Sequence, residues 1–135
     1  MADNTTIIDL SNQAEDINNV PDSILLDKGE EVELRLTGIL SGTDKNNFPY
    51  LMFFFDVPEQ PEVDEISDFV GLPHPSREAR DNVKAKRRLK EIGEALDIDW
   101  SNAINADELK GRRTYAILGV NKDKTQNTIA EYVTR

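Results

Sequence analysis

Residues 46–61 read "NNFPYLMFFFDVPEQP" and hold most of the aromatic rings of the chain. Side chains of a β-strand alternate between two faces. On that period Leu51, Phe53, Phe55 and Val57 share one wholly apolar face, and Tyr50, Met52, Phe54 and Asp56 share a mixed one. The first set predicts a core-facing strand over 49–57. The second leaves rings on the outside, where they pack under another part of the chain or form a surface on which something flat stacks.

Upstream, "EVELRLTGIL" (31–40) alternates in the same way. Val32, Leu34 and Leu36 point inward and Glu33, Arg35 and Thr37 outward, with Gly38 marking a bulge or bend. "SGTDKNN" is a polar turn between these two strands. After the acidic, proline-bearing loop "PEQPEVDE", a short third strand lies in "EISDFVGL". Ile66 and Val70 fall on one side of it and Phe69 on the other, and the pattern does not say which side faces in.

"PHPSREARDNVKAKRRLKEIGEALDID" (73–99) predicts the one long helix. Ser76 suits its N-cap. Ala85, Leu89, Ile92 and Leu96 form a narrow apolar stripe, Lys84, Arg87 and Arg88 lie away from it, and Asp97 and Asp99 end it. "WSNAINADELKG" reads as a turn or short helix whose Trp100 plugs the core. "RRTYAILGV" and "TIAEYVTR", joined by the polar turn "NKDKTQN", give strands four and five.

The expected fold is therefore mainly β with one long helix, in the order β-β-β-α-β-β. That is the order of the five-stranded OB-fold barrel, with an α+β sandwich as the structural alternative. Residues 1–20 are expected to be a flexible or docking N-terminal arm, and 21–135, opened by a turn in "VPDSILLDKGEE", the OB-fold nucleic-acid-binding domain. At 135 residues the chain suits one domain. It has no cysteine, which rules out disulfides and thiolate metal sites and fits a reducing compartment. With no membrane-length apolar run and no basic-then-apolar leader, a soluble, cytoplasmic protein is expected.

The net charge of −10 at first opposes nucleic-acid binding. The charge is polarised, however. Residues 1–75 carry 16 acidic against 3 basic side chains, and residues 76–135 carry 10 against 13. A local basic patch can bind an anion whatever the total, although basic residues on a solvated helix have the same composition.

Catalysis has little support. His74, the single histidine, sits between two prolines. There is no phosphate loop, nucleophile elbow or His/Cys ligand spacing, so neither enzymatic activity nor a cofactor is expected. The acidic pairs Asp64/Glu65, Asp97/Asp99 and Asp107/Glu108 suit loops and helix ends better than a cation site.

On the OB plan, the face of strands two and three and the loops joining strands one–two and four–five hold oligonucleotides or oligosaccharides. Tyr50 and Phe54 then face the ligand. Lys45 comes from the first loop and Lys122 and Lys124 from the second, two loops expected to meet. Arg35 projects from strand one, and Arg112 and Arg113 extend the track at the start of strand four. Rings flanked by cations suit single-stranded nucleic acid, because unpaired bases stack on rings while cations follow the phosphates. The alternative for Phe54 is cover by the arm, by Trp100 or by a second copy in a homo-oligomer.

The stretches "RRLKEIGEALDID", "ADELKGRRTYAILGV" and "NTIAEYV" resemble phage-encoded OB-fold proteins grouped as a domain of unknown function and regarded as single-stranded DNA-binding proteins. The resemblance spans about residues 22–135. It implies a role in phage DNA replication or recombination inside an infected bacterial host, with single-stranded DNA and replication or recombination proteins as partners. Only Lys110, Gly111 and Asn127 carry over by position, as structural markers. Many phage and bacterial single-strand binders end in an acidic tail that recruits enzymes. This chain ends "EYVTR", so either its acidic amino-terminal half takes that role or such recruitment is absent. The competing expectation is an acidic protein-binding or structural phage component, even a DNA mimic, motivated by the −13 of residues 1–75.

Overall fold

The computed structural model describes residues 6–20 and 24–134. The first five residues of the expected arm, residues 21–23 of the expected opening turn and Arg135 lie outside the described residues. Five strands form one antiparallel sheet: β1 (Glu31–Thr43), β2 (Pro49–Asp56), β3 (Ile66–Gly71), β4 (Arg113–Val120) and β5 (Asn127–Val133). Three helices accompany them: α1 (Ala14–Asn18), α2 (Ala79–Leu96) and α3 (Ala106–Leu109). The spatial order is β3-β2-β1-β4-β5, so each short turn joins neighbouring strands and β1 is central. The pairings among the described residues leave the sheet open at β3 and β5. The expected closed barrel is thus not among them; the sheet and its long helix are.

Alternation fixes what is buried. Val32, Leu34 and Leu36 of β1, Phe53 and Phe55 of β2, and Ala116 and Leu118 of β4 make one core with Ile92 and Leu96 of α2. The bulge expected near Gly38 is present, because the register steps from Leu36 opposite Phe55 to Gly38 opposite Phe54 and leaves Thr37 over. An extra residue reverses the phase of everything after it. Beyond the bulge Ile39 therefore packs against the core, and Leu40 is 54% exposed.

In β3, Ile66, Asp68 and Val70 face inward and Phe69 outward. Asp68 is the unexpected member of the core side, and the chain surrounds it with donors. Tyr132 Oη of β5 donates to its Oδ2 at 2.7 Å, and Arg88 Nε of α2 at 3.1 Å. Arg88 also donates to Glu91 Oε1 and to the Ile129 carbonyl, and its guanidinium lies 4.9 Å from the Tyr132 ring centroid. Arg88 therefore does not lie away from the packed side of the helix as expected. It is the link by which α2 ties the two sheet edges together. Burial disfavours its charge, but Asp68, with Tyr132 and Glu91, outweighs that and holds its pKa above the ordinary arginine value.

Tyr132 is shifted in the same network. Burial, then the neighbouring Asp68 carboxylate, push its phenol well above its usual value of 10.0. A folded-state pKa raised above the unfolded one adds stability that is complete below pH 10 and is lost as pH rises above it. Urea unfolding measured between pH 8 and about 11 is expected to show this alkaline decline, and Tyr132→Phe to flatten it; parallel declines in the two proteins would refute the assignment.

The helix begins differently from expectation. Glu78, not Ser76, occupies its N-cap, and its side chain makes no capping bond. The preceding turn is tied instead by Asn82, which accepts from the His74 N–H and donates to the His74 carbonyl. The helix ends at Asp97, in the left-handed conformation with φ 56°. Trp100 is 38% exposed and is no core plug. Its indole N–H donates to the Leu89 carbonyl at 2.8 Å, which lays the ring along the last turns of α2 over Gly93.

Of the three residues with a positional precedent, Lys110 makes a surface ion pair with Asp107 at 3.0 Å, and the other two hold backbone in place. Gly111 has φ 90°, a conformation that glycine adopts without strain. Asn127 accepts from Leu26 N–H and donates to the Leu26 and Gly119 carbonyls, fastening the chain ahead of β1 to the β4–β5 hairpin. In residues 6–20 a single 3-10 turn precedes α1, and no residue of the segment is buried.

Candidate functional site

The strand register lays out the outer face of β1–β2–β3 in three rows. Gly38, Phe54 and Ser67 form one, Leu40, Met52 and Phe69 the next, and Gly42, Tyr50 and Gly71 the last. This is the face opposite Phe53 and Phe55, so the same alternation that fills the core places these side chains outside it. Phe69 is 53% exposed, and Tyr50, Met52 and Phe54 are half-buried. The Tyr50 and Phe69 ring centroids lie 4.8 Å apart with planes tilted by 35°. Glycine at both ends of the last row lets side chains lie flat. A Cβ at Gly42 would come within 2.7 Å of the Tyr50 hydroxyl, and one at Gly71 within 2.8 Å of Arg77 Nη2.

Arg77 lies over Gly71 at one end of this face, and the Glu65 carboxylate accepts a hydrogen bond from Thr37 beside Phe54. Residues 6–20 are exposed, and Trp100 lines a cavity with Ile39, Leu51 and Phe53 on the opposite side of the sheet. Phe54 is therefore neither a core residue nor roofed by the described part of the arm or by Trp100.

The expected cations are distributed unevenly. Arg35 forms a paired contact with Asp56, Nε to Oδ1 at 3.1 Å and Nη2 to Oδ2 at 2.6 Å, and this bond raises its pKa. Arg113 pairs with Glu33 at 2.7 Å. Such half-exposed pairs contribute little to stability, but each cancels a charge that a phosphate would use. Arg112 serves elsewhere. Its Nη1 donates to the Leu96 and Asp97 carbonyls at 2.9 and 2.5 Å, at the C-terminus of α2. The last turn of α2 has no basic residue of its own, so a cation from the start of β4 satisfies its free carbonyls and opposes the negative end of the helix dipole.

Lys45, Lys122 and Lys124 are exposed at hairpin tips. The two tips do not meet as expected. The β1–β2 tip continues past Thr43, and the β4–β5 tip lies past the other end of β1, where Glu31 faces Ile117. The tips bracket the sheet. Thr125, Gln126 and Asn127 of the second line a cleft with Ile24, Leu25, Asp64 and Glu65, which places carboxylates beside that tip.

Sequence reasoning missed Leu40, Phe69 and Arg77. Arg77 follows β3 and lies with its guanidinium carbon 4.7 Å from the Phe48 ring centroid, while the Phe48 ring also meets His74 edge-on. Its Nε is buried without a hydrogen-bond partner among the described residues. Phe69 is placed by the β2–β3 register, in which it faces Met52. No protein-family model matches the chain, and a search of curated proteins finds no match.

Proposed function

We propose that this chain is an OB-fold protein that binds single-stranded DNA, without strong sequence preference, on the outer face of β1–β2–β3. The single observation that carries the reading is the set of rows containing Tyr50, Phe54 and Phe69, with Leu40 and Met52 between them and Leu40 and Phe69 about half exposed. Bases offer flat apolar faces of every sequence, and rings on a rigid sheet bind them at little cost in side-chain ordering. The strand order, the helix between β3 and β4 and the Asp68–Tyr132 bond between the edge strands support the OB reading. The phage setting, a part in replication or recombination and the replication proteins as partners rest on the sequence resemblance alone.

The test is fluorescence anisotropy with a labelled dT oligonucleotide. Contact with three phosphates predicts affinity falling roughly 20-fold between about 50 and 200 mM salt, from the slope of about −0.7 per phosphate for single strands. No binding at the lower salt, or binding indifferent to salt, overturns the reading.

One observation favours the acidic alternative. Glu30, Glu31, Glu33 and Glu59 line a single cleft with Val57 and Tyr115. A basic protein would suit that cleft. Recovery of a host protein that survives nuclease treatment, together with failure to bind dT, selects this alternative.

A further inference from the structure

The sheet face offers rings but few unpaired cations, so the phosphates of a bound strand need another surface. A groove along the outer edge of β3 supplies one. It is lined by Phe69, Val70 and Gly71 on the strand side and by Arg77, Asp81, Lys84, Ala85 and Arg88 on the helix side, with a volume of about 250 Å³. We propose that single-stranded DNA leaves the sheet over Phe69 and continues along α2, with Arg77 and Lys84 holding its phosphates. This rests on the single-strand-binding reading above and gives that strand a direction.

Charge decides among three ways off the face. Toward the β4–β5 tip the strand would meet Asp64 and Glu65 in the cleft beside Thr125 and Gln126. Along the first strand Arg35 and Arg113 are neutralised by Asp56 and Glu33. Over β3, the strand meets Arg77 and Lys84, neither of which has a carboxylate partner within ion-pair distance among the described residues. Arg88 is the third cation of the groove and is committed to Asp68 and Glu91. Asp81 is the one acid in the lining.

Geometry supports the same route. Phe69 presents half its surface at the lip of the groove, next to the Tyr50 ring. Arg77 is held flat between Phe48 and Gly71, so its guanidinium is placed before any ligand arrives. Beyond the groove, Arg80, Lys84 and Arg87 recur at i, i+4 and i+7 and are all exposed. Residues at that spacing share one side of a helix, which extends the positive lip along the first two turns of α2. The strand thus passes from stacking on rings to electrostatic contact at one point, Phe69.

The experiment compares the salt dependence of labelled dT20 binding to the full chain, to Lys84→Ala/Arg87→Ala and to Lys122→Ala/Lys124→Ala. Lys84 and Arg87 are exposed helix positions where alanine favours the helix, so folding is not at stake. The helix variant is expected to bind about 10-fold more weakly at about 50 mM salt and to lose roughly 1.4 from the log–log slope, the value for two phosphates. The tip variant is expected to change the slope by less than half of that. If wild type binds and the helix variant keeps its slope, the route over α2 is wrong while the DNA-binding reading stands. If the tip variant loses the slope instead, the strand runs toward the β4–β5 hairpin. If wild type does not bind dT20 at all, both proposals fall together.

Discussion

Asp68→Ala is expected to lower the free energy of unfolding by about 3–5 kcal/mol, the range for removing one member of a buried ion pair. Asp68 and Arg88 side chains are only 11% and 22% exposed, so water replaces little of what is lost. The substitution leaves the Tyr132 hydroxyl without its acceptor and Arg88 with Glu91 as its one anion. The value should fall at the lower end of the range, because Glu91 Oε1 and the Ile129 carbonyl still accept from the guanidinium. Asp68→Asn keeps an acceptor for Tyr132 but no charge, and about 1–2 kcal/mol is expected from weakening a charge-assisted contact. Urea denaturation of the three proteins checks this. If Asp68→Ala costs under about 1 kcal/mol, the α2–β3–β5 joint is not what holds the sheet edges together.

The same residue marks where sequence reading stops. The alternation of β1 and β2 was legible because apolar residues occupy every inward position, from Val32 to Leu36 and from Leu51 to Val57. In β3 the middle inward position is an aspartate, and a charge reads as a surface residue. Its partners, Arg88 and Tyr132, are 20 and 64 residues away. No local pattern can pair them. With an aspartate between Ile66 and Val70, Phe69 had no assigned side, and the most exposed ring of the outer face was missed.

The bulge in β1 produced a second, subtler gap. Gly38 announced it, but the consequence is a reversal of phase, which exposes Leu40 and turns Ile39 toward the core. Cations were legible as residues and illegible as charges. Arg35, Arg112 and Arg113 each find an internal acceptor across the sheet or at a helix end, and only the fold shows which arginines are spent. The meeting of the two hairpin tips failed for a topological reason. Both hairpins include or neighbour β1, but one leaves from each end of it.

The outer rings carry the largest expected effect on binding. Stacking of one base on one aromatic side chain is worth about 1–3 kcal/mol by alanine substitution. Phe54→Ala/Phe69→Ala is therefore expected to weaken dT binding by about 2–5 kcal/mol, roughly 30-fold to several thousand-fold, if each ring holds a base. Phe69 gives the cleaner single test. With 53% of its surface already in water, truncation removes little buried area, so the folded protein should melt nearly as wild type does. Tyr50 will not behave independently, because its ring leans on Phe69 at 4.8 Å and loses that support when Phe69 is cut back. The sum of Tyr50→Ala and Phe69→Ala should therefore differ from the double variant, whereas Phe54, two strand positions beyond Met52, should add to Phe69 more nearly. A polar surface that merely attracts phosphate would give the opposite outcome, an affinity untouched by Phe69→Ala and lowered only by loss of cations. That result, obtained with an unchanged melting temperature, would remove the stacking face from the account and leave the α2 track as the only contact with DNA.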